Sequence, residues 1–184
     1  DMIPTYELLL KENTHGVSLI SVVDFPAIEE NYFLFDTHKI EWKKNVRGII
    51  SGPVLIPNKM IYRNDENGEY NTFLSASTIE QVAMLFMQNQ NQNNVNLLHD
   101  KPTDKVFVFE SFISDVSRGV MPMQGYEHLP NGTWFVSMKV DDASILAQIE
   151  TGELQGFSIE GLFGMEKKQI SADVALAQIR ALFN

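Results

Sequence analysis

The chain has no cysteine, and this absence excludes disulfide bonds, thiolate metal sites and a cysteine nucleophile together. It also lacks any run of 18 consecutive apolar residues, the length that a membrane-spanning helix needs. The sequence therefore predicts no membrane partner. Its apolar fraction of 44% is ordinary for a protein that builds a packed core.

Basic residues are scarce: 14 Lys and Arg stand against 24 Asp and Glu, for a formal net charge of −10. A nucleic-acid-binding surface needs clustered basic side chains that displace counterions from phosphates. The only close basic pairs are Lys43-Lys44 and Lys167-Lys168. We therefore predict no nucleic-acid partner.

Several common site motifs are also missing. The chain has no GxxxxGK[ST] phosphate loop and no GxGxxG, and Ser158 lies in Gly156-Phe-Ser-Ile-Glu-Gly161 rather than in a GxSxG elbow. The histidines are far apart in sequence and none pairs with another at i, i+4: His15, His38, His99 and His128. Without cysteine, a zinc site would need long-range assembly. No metal and no cofactor are predicted.

The pattern of secondary structure indicates an α+β protein, mainly an antiparallel β-barrel with surrounding helices. We count eight or more short strands in hairpin-like pairs and about three helices, without the strand–helix alternation of a doubly wound sheet. No internal repeat or long linker divides the chain. Residues 1–184 are therefore predicted to form a single domain.

Capping residues and apolar spacing predict individual elements. Ser75 or Ser77 caps a helix over 78–90, Asp141 or Asp142 caps a second over 143–149, and Ser171 caps a last one. Residues 95–99 and 106–113 are predicted to pair as a hairpin.

Two residues are candidates for nucleophilic catalysis. Ser158 stands inside an apolar strand between Phe157 and Ile159, and His99 ends the apolar run that precedes Asp100. A serine hydroxyl attacks poorly until an imidazole within hydrogen-bond reach accepts its proton. The pattern alone favours an ordinary strand-end histidine and a small polar strand residue.

Several segments in order resemble the XkdF-type phage serine proteases, which belong to the wider prohead (capsid-maturation) protease group. The segments are Gly16–Glu29, Ile50–Pro57 with Ile61–Arg63, Asn91–Asp100, Gly132–Asp142 and Gly152–Gly161. They span about residues 16–164, most of the chain.

The resemblance implies the fold of herpesvirus assemblin, a small β-barrel ringed by helices with a Ser-His site. It implies His99, from the His-Asp motif, as the general base and Ser158, from the Gly-Phe-Ser segment, as the nucleophile. Many prohead proteases have Ser-x-Gly where this chain has Ser158-Ile159-Glu160, so this position departs from the broader group and agrees with the XkdF-type variant.

The carboxylate that would orient the imidazole has three candidates. Glu110 interrupts the apolar run that follows the His-Asp motif, and it is our choice. Glu160 shares a strand face with Ser158 by the period of two, and Asp100 is adjacent to His99. Each of the three is equally well explained as a solvated or salt-bridged carboxylate.

The resemblance implies a serine endopeptidase of phage capsid maturation that cleaves scaffold and capsid precursors and itself. Its partners would be phage scaffold and major capsid protein precursors, with the portal protein and a second copy of the chain as further candidates. It would act in the procapsid or virion, in the host cytoplasm during assembly. The chain, which starts at Asp1, is expected to be a piece of a longer precursor. The alternative is a catalytically silent protease fold that serves as a structural or packaged virion component.

Overall fold

The computed structural model describes residues 3–24, 33–34, 48–66 and 68–168, and these residues form an α+β structure dominated by short strands. The strands are β1 Thr5–Leu9, β2 Gly16–Val23, β3 Phe33–Leu34, β4 Ile49–Leu55, β5 Ile61–Asp65, β6 Gly68–Phe73, β7 Val95–Leu97, β8 Lys101–Thr103, β9 Val106–Ile113, β10 Trp134–Val140, β11 Gly156–Leu162 and β12 Gly164–Lys168. The described residues contain two α-helices, α1 Ala76–Gln88 and α2 Ala143–Glu150.

The strands form three sheets, with orders β12-β1-β6-β5, β4-β10-β9 and β3-β11-β2-β7-β8. Most pairs are antiparallel, but β1 with β6 and β2 with β7 are parallel. The α+β class is confirmed. None of the sheets closes on itself within the described part of the chain, so the barrel stays a prediction, as does the single domain. Neither of the described helices is long and apolar enough to cross a membrane.

The capping signals located both helices correctly. Ser75 caps α1 by accepting a hydrogen bond from the backbone N–H of Thr78, and Asp142 caps α2 by accepting from Ser144 and Ile145. Helix α1 begins two residues earlier than predicted and packs Phe86 edge-on against Trp134, with ring centroids 5.4 Å apart. The helix predicted after Ser171 lies outside the described residues.

Strands β2 and β11 each have one face towards the main core and one face away from it, because successive side chains of a strand point to opposite sides. Ile20 and Val22 on β2 and Phe157 on β11 lie on the apolar side and belong to the main core. The opposite side carries Ser21 and Ser158, which are directly paired. The sheet therefore has a polar stripe on the face away from this core.

The predicted hairpin between 95–99 and 106–113 is wrong. Strand β7 pairs with β8 instead, and β9 pairs with β10 in another sheet. The chain reverses immediately after β7 because Leu98 and His99 both adopt left-handed backbone, with φ of 54° and 63°. The Asp100 N–H donates to the Leu97 carbonyl at 3.2 Å, which closes a turn of type I′ geometry. His99 is therefore a turn residue, not the end of a strand.

Leu98 provides a test of this turn. Its side chain is 38% exposed, while its left-handed backbone is unfavourable for a residue with a Cβ. We expect Leu98→Gly to raise the free energy of unfolding by about 0.5–1 kcal/mol, because glycine tolerates this conformation. Urea denaturation measures the change. Leu98→Ala is the control, since it shortens the side chain and keeps the backbone cost; an equal gain from Leu98→Ala would contradict the explanation.

Candidate active site

Ser158 lies at the centre of the polar stripe. Its direct partner across the β11–β2 pair is Ser21, whose own partner across the parallel β2–β7 pair is Asn96. These three polar residues, contributed by three adjacent strands, are all buried, with 3%, 0% and 6% of their surface exposed. Buried polar groups on a sheet need hydrogen-bond partners, so we expect other polar side chains to lie next to this stripe.

His99 and Glu160 meet beside this stripe. The Nδ1 atom of His99 lies 2.7 Å from Oε1 of Glu160, a charge-assisted hydrogen bond when the carboxylate is ionised. Glu160 is two residues after Ser158 on β11 and so lies on the same face. The side chains of His99 and Glu160 are 30% and 39% exposed, so solvent reaches the pair.

Ser21 and Asn96 complete the network, and sequence reasoning missed both. The Oγ atom of Ser21 lies 3.2 Å from His99 Nδ1 and 3.2 Å from Glu160 Oε1, and it also donates to Asn96 Oδ1. Asn96 Nδ2 donates to Glu160 Oε1 at 3.3 Å. The sequence did offer a signal for both residues: Ser21 and Asn96 are polar side chains within otherwise apolar strand segments, 19–23 and 95–98.

The candidate residues from the sequence fall into two groups. Ser158, His99 and Glu160 are brought to one face of the five-stranded sheet, although the ring contacts of His99 given above reach Ser21 and Glu160 rather than Ser158. Glu110 is exposed on β9, opposite Ser137 in the three-stranded sheet. Asp100 is exposed in the turn. The structure thus brings Glu160, rather than the preferred Glu110, against His99.

The surroundings of Glu160 favour its ionised form. Partial burial by itself raises the pKa of this carboxyl group, but hydrogen bonds from His99 and Asn96, the charge of His99 and a hydrogen bond from Ser21 lower it. The net result is a pKa below the ordinary glutamate value. Glu160 is therefore a carboxylate at neutral pH.

The position of this carboxylate assigns the tautomer of His99. The ring nitrogen that faces an ionised carboxylate carries the hydrogen, because Oε1 can only accept. We therefore place the proton of the neutral ring on Nδ1, which leaves the lone pair on Nε2. The nitrogen that can act as a base is the one that points away from Glu160.

A β-bulge follows Glu160 directly. Glu160 pairs with Leu19, but the next residue, Gly161, pairs with Val17, so Ser18 is an additional residue on β2. Ser18 Oγ donates to the backbone carbonyl of Glu160 at 3.3 Å. The bulge fixes the strand at the residue whose side chain holds His99.

Gly161 is required at this bulge for a steric reason. A Cβ added there would overlap the backbone carbonyl of Gly16, which has no room to move within the paired strand. We expect Gly161→Ala to lower the free energy of unfolding by roughly 1–3 kcal/mol. Thermal and urea denaturation measure this loss.

Gly164→Ala is the matched control, because a Cβ there would meet only the flexible side chain of Lys11. It should change stability by less than about 0.5 kcal/mol. Equal losses from the two substitutions would show that close backbone approach does not distinguish Gly161.

A groove of about 780 Å³ lies beside the network. Its lining includes Asn96, which also bonds Glu160, together with Ser18, Asn94, Thr103 and Phe107. Amide and hydroxyl groups with one aromatic ring suit an extended peptide, which needs both hydrogen-bond partners and apolar contact. Among the described residues, no group of three or more His, Asp or Glu side chains is arranged to hold a metal ion.

Comparison with protein families gives a match over most of the chain. The model of a family described as "Putative phage serine protease XkdF" matches residues 40–166, which is more than half of the chain. Comparisons with curated proteins and with solved structures gave no match.

Proposed function

The chain belongs to the XkdF family of phage serine proteases, and on that premise we propose that it is a serine endopeptidase in which Ser158 is the nucleophile, His99 the general base and Glu160 the orienting acid. One observation carries the proposal. His99 is held through Nδ1 by Glu160 at 2.7 Å, and Glu160 shares its strand face with Ser158 two residues away. An imidazole held by a carboxylate on the strand face that carries a serine supports this proposal, because acyl transfer needs a nucleophile, a base and a group that orients the base.

The proposed reaction proceeds through an acyl-enzyme. Ser158 Oγ attacks the scissile carbonyl carbon as its proton passes to His99 Nε2, and the same proton is then given to the leaving amine as the peptide C–N bond breaks. Water, activated in turn by Nε2, hydrolyses the ester and restores Ser158. Glu160 stabilises the imidazolium that forms in each half-reaction, which is why an ionised carboxylate at Nδ1 matters.

Access to the site favours approach from the side of His99. Ser158 is only 3% exposed, whereas the side chains of His99 and Glu160 are partly open to solvent. A peptide in the adjacent groove would reach the network past Asn96. The reaction requires a hydrogen bond from Ser158 Oγ to His99 Nε2, along which the proton passes.

The biological setting is part of the proposal. The enzyme would cleave scaffold and major capsid protein precursors, and itself, within the phage procapsid in the host cytoplasm, with the portal protein and a second copy of the chain as further partners. The family membership supports a phage protease, and the resemblance to prohead proteases supports capsid maturation as its role. An assemblin-like barrel belongs to the same proposal.

The nucleophile is tested by Ser158→Ala and His99→Ala in the full-length protein, co-expressed with scaffold and capsid precursors. Both variants should abolish the discrete fragments that the wild type makes, because members of one nucleophilic unit fail together. A fluorophosphonate probe followed by peptide mass spectrometry should place the adduct on Ser158. Ser137→Ala, a buried serine of the three-stranded sheet, is the control and should cleave normally.

Two outcomes would overturn this assignment. Cleavage at the wild-type rate by Ser158→Ala, or an adduct on Ser21, would show that Ser158 is not the nucleophile. If the wild type neither cleaves its precursors nor reacts with the probe, the domain is a structural component of the particle, and its place in the mature virion should be sought instead.

The orienting acid is tested by a pair of isosteric changes. Glu160→Gln should lower kcat by at least about 100-fold, because the amide no longer stabilises the imidazolium. Glu110→Gln should leave kcat within about two-fold, since Glu110 is exposed in another sheet. Steady-state cleavage of a precursor peptide measures both. A large loss from Glu110→Gln with little from Glu160→Gln would reverse the assignment.

A further inference from the structure

Ser21, on the central strand of the five-stranded sheet, contacts every other polar member of the network described above. We propose that Ser21 and Asn96 are positioning residues that hold the Glu160 carboxylate against His99 Nδ1 and so keep Nε2 as the basic nitrogen. The inference rests on the proposed function for its catalytic consequence, but the positioning itself can be measured without proteolysis.

The contacts converge on a single oxygen atom. Glu160 Oε1 lies 2.7 Å from His99 Nδ1, 3.2 Å from Ser21 Oγ and 3.3 Å from Asn96 Nδ2. A glutamate side chain has three rotatable bonds and is costly to immobilise when it is 39% exposed. Contacts from two buried, strand-anchored side chains restrict it to the rotamer that meets His99.

The protons of the network can be assigned consistently. Ser21 has one hydroxyl hydrogen, which it shares between two acceptors, Asn96 Oδ1 and Glu160 Oε1. Its bond to Asn96 Oδ1 orients the amide with Nδ2 towards Glu160. The Ser21 oxygen also accepts a second, weaker hydrogen bond from the N–H at His99 Nδ1, at 3.2 Å. The hydrogens of Ser21 Oγ and His99 Nδ1 and one amide hydrogen of Asn96 therefore have acceptors within the network.

The burial of Ser21 argues for a purpose beyond packing. It is fully buried in β2 between Ile20 and Val22, where an apolar residue would suit the strand equally well. A hydroxyl at such a position is unfavourable unless it is hydrogen-bonded. Its three partners in the network supply those bonds.

A nucleophilic role for Ser21 fits the geometry less well. The His99 nitrogen nearest to Ser21 is Nδ1, which already faces Glu160 and so carries a hydrogen. It cannot accept a second proton from Ser21.

Kinetics provide the first test, in the full-length enzyme. Ser21→Ala and Asn96→Ala should each lower kcat roughly 10- to 100-fold with KM little changed, because a misplaced catalytic group reduces the chemical step rather than binding. Fluorophosphonate labelling should slow but stay on Ser158. The matched control is Ser137→Ala, which removes a buried strand hydroxyl that bonds Ser51 at 2.8 Å, and it should leave kcat unchanged.

Titration of the Glu160 carboxyl carbon by NMR provides the second test, and it needs no activity. The hydrogen bonds from Asn96 and Ser21 lower the pKa of Glu160, so removing either donor should raise the pKa of Glu160 towards its ordinary value of 4.5. If Ser21→Ala does not fold, Asn96→Leu supplies the same test, since it keeps a similar side-chain shape and removes the Nδ2 donor without adding a charge.

The outcomes separate this inference from the proposed function. An unchanged pKa of Glu160 in both alanine variants would overturn the positioning role, whatever the activity. A raised pKa in a protein whose wild type never cleaves would support the positioning role and reject the protease. If Ser21→Ala and Asn96→Ala lower kcat no more than Ser137→Ala does, the loss reflects general destabilisation, and the inference is wrong.

Discussion

The position of β2 between β11 and β7 is the constraint on which the site depends. β2 pairs antiparallel with β11 and parallel with β7, and the two registers together place Ser158, Ser21 and Asn96 side by side. A shift of one residue in either pairing would turn a polar side chain into the core and an apolar one towards Glu160. The packing of Ile20 and Val22 in the core makes such a shift unfavourable, so the core also determines the geometry of the site.

Two backbone irregularities act at the ends of this regular pairing. The left-handed turn at Leu98 carries His99 out of β7 and back towards β11, and the Leu98 N–H donates to the Val22 carbonyl at 3.0 Å, which fixes the turn to β2. The bulge at Ser18 fixes β11 just beyond Glu160. Functional groups often lie at such points, because an irregular backbone directs a side chain that a regular strand could not place.

The network also shows how a sheet can hold polar groups at low cost. Ser21 and Asn96 lose their hydration but bond each other and Glu160, while Glu160 and His99 remain partly exposed. Desolvation of the carboxylate is therefore incomplete, and the donors around it outweigh that cost, which is why its pKa falls rather than rises. Deeper burial of the same pair would favour the protonated form of Glu160, which stabilises an imidazolium less than the carboxylate does.

Local features of the sequence determined the local structure. Ser75 and Asp142 located both helices of the described residues because a cap is formed within a few residues, and a run rich in Val and Ile located β2. The catalytic roles of Ser158 and His99 stay a prediction that the resemblance to a family supports, since an isolated serine and histidine have no distinctive local pattern. Strand pairing was harder: β7 was assigned to β9, because the sequence gives no direct sign that Leu98 adopts a left-handed turn.

The choice among carboxylates was decided by tertiary structure alone. Glu110 and Glu160 both interrupt apolar strands, and their local sequences do not say which sheet each strand joins. Residues 21, 96, 99 and 160 meet only because three strands distant in sequence are paired in one register. The sequence by itself therefore determined most of the elements, the helix caps and the family, but not strand β8, which lies where a loop was predicted. The folded sheet decided which polar side chains share one face, because register depends on packing between distant segments rather than on any signal within one of them.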